Sequence, residues 1–104
     1  MNSRLKRMHT DRAESIGVSA LLFLAGDPQR LTHFLTLTGV GPAELRENAR
    51  TPQMLAAVLD HMLQDENMLL VFCASDGIPP DEVAPAQRAL AKMAGEIGDP
   101  EISI

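Results

Sequence analysis

The sequence predicts an all-α fold, a compact bundle of about six short helices in which a near-repeat of period 38 marks two candidate tandem three-helix units. Three observations predict it. Apolar residues recur at i, i+3 and i+4 through much of the chain, the spacing of one helix face. Glycine and proline punctuate these segments as stops and starts, at Gly39, Gly41-Pro42, Thr51-Pro52, Gly77 and Pro80. Finally, Asp27–Leu45 aligns without gaps on Asp65–Val83, with six identities in nineteen positions: Asp27/Asp65, Leu31/Leu69, Phe34/Phe72, Gly39/Gly77, Pro42/Pro80 and Glu44/Glu82. Average composition gives roughly one. Cap chemistry common to any two helix corners accounts for four of the six identities, but not for Leu31/Leu69 and Phe34/Phe72.

Residues 1–10 read as a flexible basic arm and 95–104 as a tail, around one domain at 11–94 with half-units at about 11–50 and 51–94. The first helix is expected over about Asp11–Ala25. Ile16, Ala20, Phe23 and Leu24 form its stripe, and Leu21, Leu22 and Ala25 widen it until the helix belongs in the middle of the bundle. The second starts after Asp27, whose carboxylate accepts first-turn N–H groups, with Pro28 at the first helical position. Leu31, Phe34 and Leu35 share its inner face, and it stops at Thr38, with Gly39 in the left-handed conformation. Val40 then closes a Schellman ending on Leu35 and staples the third helix, Pro42 to about Ala49, through Leu45. Cys73, Ile78 and Val83 are expected to do the same at the second corner.

Thr51-Pro52 opens the fourth helix, with Met54, Leu55, Val58, Leu59, Met62 and Leu63 at helical spacing. The fifth, about Glu66–Ser75, contains the apolar run Met68–Ala74, which by periodicity alone is equally a buried strand. The Asp65 cap, the Gly77 stop and the lack of a partner strand decide for helix. The sixth runs from Pro80 to about Ala94, and Gly95, Gly98 and Pro100 end it.

Composition narrows the function classes. At 104 residues the chain buries a core without disulfides or metal. The lone cysteine, Cys73, sits in an apolar run and reads as a small buried hydrophobe, which suits a reducing, cytoplasmic compartment. A basic start before Ile16–Ala25 has the outline of a secretory leader, but Asp11 and Glu14 interrupt it and no small-x-small site follows. No apolar run reaches the roughly 18 residues of a membrane span. The first twelve residues carry +3, so within a total of −5 the remainder carries −8. An acidic body argues against a nucleic-acid platform.

The span Ala20–Leu90 resembles a bacterial family, domain of unknown function 3572, through ALLFLAGDPQRLTHFLTLTGVGPAELRENA, TPQMLAAVLDHMLQDENML and GIPPDEV. The resemblance implies a small, intracellular, all-helical bacterial protein. It brings no catalytic residue and no ligand.

The sequence supports no enzyme, metal site or cofactor. Asp60, His61 and Asp65 have a helical turn between the last two, but no further histidine or cysteine at ligand spacing. Asp65/Glu66 and Asp81/Glu82 lie in first helical turns, where the helix dipole favours negative charge. The leading expectation is a protein-interaction module, because six short methionine-rich helices leave apolar surface uncovered. Met54, Met62 or Met68 would floor a groove for another protein or a second copy. The alternative is a helix-hairpin-helix-like turn that offers a phosphate the backbone of Gly39 and Gly41 with Arg46 and Arg50 beside them. Pro79 in the second corner and Glu44 and Glu47 in the first weaken that reading.

Overall fold

Cap chemistry decides both ends of α2 and α5 and the start of α4 in the computed structural model, which describes residues 8–98. The order is α1 (Thr10–Ala25), α2 (Pro28–Thr38), α3 (Pro42–Asn48), α4 (Pro52–Leu63), α5 (Glu66–Asp76), a 3-10 turn (Pro80–Glu82) and α6 (Val83–Gly98). Asp27 accepts from the Gln29 N–H at 3.0 Å and Asp65 from the Met68 N–H at 3.1 Å, while Thr51 Oγ1 accepts from the Met54 N–H at 3.1 Å. Helices α2 and α5 both end on a left-handed glycine, Gly39 at φ 78° and Gly77 at φ 68°. No strand occurs among the described residues, so the apolar run of α5 is helical.

The two corners differ in one bond. At the second, the Ile78 N–H donates to Cys73 O at 3.0 Å, the Schellman ending expected. At the first, the Val40 N–H goes to Thr38 Oγ1 at 3.3 Å instead, and Gly39 N–H to Leu35 O makes a simple left-handed cap. The Thr38 hydroxyl, which donates to Phe34 O at 2.7 Å, is in the right place to intercept it.

The sixth helix departs from expectation at both ends. Pro79-Pro80 opens with a 3-10 turn, Glu82 N–H donating to Pro79 O at 3.0 Å, before α6 begins. Gly95 does not stop α6, which continues to Gly98. A single glycine inside a helix costs only about 1 kcal/mol. The arm at 1–10 lies outside the described residues except for 8–10, where Thr10 already opens α1; of the tail, 95–98 are the last turn of α6. This contrast between glycines is testable by urea unfolding. Gly77→Ala is expected to lose about 1–2 kcal/mol through its left-handed backbone. Gly95→Ala meets nothing within 4 Å and is expected to gain about 0.5–1 kcal/mol. Equal effects of the two substitutions would refute the assignment.

Helices α1, α4 and α6 pack on one another as the central trio; α2 docks on α1, α5 on α4, and the 3-10 turn on α6. The trio crosses the boundary at residue 50, so the packing does not divide into two self-contained three-helix units. The halves interlock instead. Ile16, Gly17, Ala20, Leu21 and Leu24 of α1 are buried, and so are the residues 38 further on: Met54, Leu55, Val58, Leu59 and Met62 of α4. Gly17 faces its own counterpart, since a Cβ there would lie 3.0 Å from Leu55 Cβ. Aromatic contacts cross in the same sense. Phe72 of α5 packs on Phe23 of α1 with centroids 5.4 Å apart, and Phe34 of α2 on His61 of α4 at 5.2 Å. The body measures 39 × 39 × 19 Å, about two helix layers deep. An exposed ion pair, Arg12 to Glu82 at 2.8 Å, ties the start of α1 to the 3-10 turn.

A candidate binding cleft between two helices

Because α2 leans on α1 and α5 on α4, an open cleft separates α2 from α5. Four residues of each helix line one lobe of about 510 Å³, in pairs 38 apart: Asp27/Asp65, Gln29/Asn67, Arg30/Met68 and His33/Val71. Helices of equal length, each capped by an aspartate, thus present the same register to the same space. The second lobe, about 410 Å³, shares His33, Asp65 and Asn67 with the first and adds Leu37, His61, Gln64 and Glu66. Leu37 is 63% exposed, Val71 51% and Leu70 46%. Single exposed apolar side chains are ordinary. Two of these three line a concave site.

Electrostatics differ along the cleft. Arg30 stacks 4.2 Å above the Phe23 ring and lies 3.8 Å from Asp27, so its charge is directed along the α1 side. At the other end His33 faces His61, ring centroids 5.7 Å apart. His61 is only 8% exposed, and its Nε2 has no hydrogen-bond partner among the described residues. Burial lowers the His61 pKa from 6.5, His33 lowers it further, and Asp65 and Asp60 oppose the shift. Asp60 accepts from Gln64 Nε2 at 3.0 Å, and Asp65 caps α5. Among the described residues no three His, Cys, Asp or Glu are grouped to hold a metal.

The three methionines of the expected groove part company. Met54 and Met62 are buried in the core among α1, α4 and α6 and offer a partner no surface. Their side of α4 faces the central trio, a fact helical spacing alone does not reveal. Met68 is half-buried and lines the cleft. In the first corner, Gly39 is left-handed and Gly41 caps α3, but the Gly41 N–H points to Glu44 Oε1 at 3.4 Å. Arg46 lies in the last turn of the seven-residue α3 and Arg50 beyond it, at the far end from any phosphate on the Gly41 amide. Cys73 is buried, and burial, with Asp76 nearby, pushes its thiol pKa up. The sequence offered His61 only as a metal ligand beside Asp60 and Asp65, and did not pair it with His33. The signal was there in the register, which sets His61 against Phe23 and His33 against Val71.

No helix among the described residues is long and apolar enough to cross a membrane. The family model described as "Protein of unknown function (DUF3572)" matches residues 10–93. No curated protein and no solved structure matches the chain.

Proposed function

We propose, from the premise that the chain belongs to the DUF3572 family of proteins of unknown function, that it is a protein-binding module, not an enzyme, whose α2–α5 cleft takes a basic amphipathic helix of a partner. The observation that carries this reading is the lining of the cleft. Leu37, Met68 and Val71 offer apolar contact, while Asp27, Asp65 and Glu66 sit around it as carboxylates. Each wall is an eleven-residue helix, about 16 Å long, which suits an occupant of three turns. Helix-in-groove recognition uses apolar anchors spaced i, i+3 or i+4, and here complementary charge selects lysine and arginine on the flanks. A second copy is a poorer occupant, because the chain itself carries −5.

The test is titration of the labelled protein with a three-turn Leu/Lys amphipathic peptide, read by amide chemical shifts. Perturbation is expected at Leu37, Met68 and Val71, and Leu37→Ser with Val71→Ser is expected to weaken binding at least tenfold, since each anchor loses its apolar burial with no change of charge. Shifts confined to other faces, or binding that survives both substitutions, would defeat the reading. The nucleic-acid alternative at Gly39, Gly41, Arg46 and Arg50 is checked by fluorescence anisotropy with duplex DNA at low salt, where no binding is expected because Glu44 already occupies the Gly41 amide.

A further inference from the structure

Two positions in the cleft carry imidazole where the other half of the molecule uses hydrocarbon. Phe72 rests on Phe23 at one end; at the other Phe34 rests edge-on against His61, interplanar angle 77°. His61 stands 38 residues after Phe23, and Val71 stands 38 after His33. The fold therefore accommodates a benzene ring at this contact, and packing alone does not call for a histidine. The imidazole also has a disadvantage, a buried Nε2 without a partner among the described residues, of a kind that native structures keep rare.

We infer that the His33–His61 pair makes the docking of α2 acid-labile: a neutral His61 ring lets Phe34 of α2 seat against α4, and protonation of His61 beside His33 releases α2 and disassembles the cleft. The release itself rests only on the geometry of the pair; its effect on a basic partner rests on the cleft reading above.

The charges around His61 set the direction. From α2 it faces His33, with Arg30 further along the same wall. Its own helix contributes Asp60, and the start of α5 contributes Asp65 and Glu66. Helices α1 and α6 meet α4 through apolar side chains such as Leu24, Leu59 and Leu90. Burial and the opposing His33 prevail over the carboxylates, and the folded-state pKa of His61 lies below 6.5. The unfolded chain thus takes up a proton near 6.5, while the folded chain takes it up only at lower pH. Stability from this group is fully present above 6.5 and is lost as pH falls from there through the folded value. A charge on His61 is disfavoured by burial and by His33 across the gap, and it in turn repels basic residues of a partner.

Hydrogen exchange and urea unfolding at pH 7.5 and 5.5 test the inference without any partner. In the native protein, α2 amides are expected to lose protection at pH 5.5, relative to α4 and α6 and after correction for intrinsic rates. The folded-to-unfolded ratio falls tenfold for each unit by which the His61 pKa lies under 6.5. His61→Phe, which copies Phe23, is expected to abolish both responses. His33→Val, which copies Val71 at an exposed position, is expected to weaken them and to move the His61 NMR titration back toward 6.5. An equal acid response in His61→Phe, or His61 titrating at its ordinary value in the native protein, would overturn the inference. If neither protein binds the Leu/Lys peptide at any pH while the difference in α2 protection persists, the partner reading falls and the acid-labile docking stands.

Discussion

Phe72→Ala is expected to lower the unfolding free energy by about 3–5 kcal/mol, the range for removing a fully buried aromatic ring. Phe72 is completely enclosed and tilted against Phe23 at 5.4 Å. Phe72 and Cys73 are the only buried residues of α5, with Met68 and Leu69 half-buried against the core beside them. A loss of this size is a large share of the total of about 5–15 kcal/mol for a domain. The chain has no Trp and no Tyr, so unfolding is followed by far-ultraviolet circular dichroism in urea. A loss below about 1 kcal/mol would mean that the vacated space collapses around Phe23, and that α5 is held by something other than this ring. Phe34→Ala, on the equivalent turn of α2, is expected in the same range, because Phe34 is likewise fully enclosed and is the only buried residue of its helix.

Gly17→Leu is the second large effect, expected to cost about 3 kcal/mol or more. Gly17 lies where α1 crosses α4 and α6, and a Cβ there would meet Leu55 Cβ at 3.0 Å and Leu90 Cδ1 at 3.2 Å. Leu90 Cδ1 is the end of a flexible side chain and can turn aside. Leu55 Cβ is fixed to its backbone, so the helices themselves must part. Alanine at 17 gains about 1 kcal/mol of helix propensity but meets the same Cβ, so its net effect is small. Because Gly17 and Leu55 oppose each other, the exchange Gly17→Leu/Leu55→Gly rebuilds the contact from the other side. A double-mutant cycle is expected to show strong favourable coupling, with more than half of the single-mutant loss recovered. Purely additive losses would show that the two positions do not share one space.

Corners were legible because their chemistry is local. An aspartate that accepts its own first-turn N–H, or a glycine with nothing to forbid positive φ, acts within four residues. Asp27, Asp65, Gly39 and Gly77 accordingly fall where the sequence puts them. What depends on the neighbouring helix was not legible. Gly17 reads in sequence as a weak spot in a helix, and only the approach of Leu55 explains it. Met54 and Met62 have the same spacing whether they face a partner or the core, and they face the core. Gly95 resembles Gly39 and Gly77 as a residue type, yet its turn of α6 continues. The meeting of His33 with His61 spans 28 residues and two helices, beyond any local pattern. Lining up the chain on itself at an offset of 38 comes closest, since it sets His61 against Phe23 and His33 against Val71.

Since each half reaches over to grip the other, neither owns a complete core, and every contact between them could equally be made by a neighbouring molecule. The link at residues 49–51 is short, and a short hinge is where such an exchange begins. Shorten it further, and the physics that seals the monomer would stitch two polypeptides into an exchanged pair.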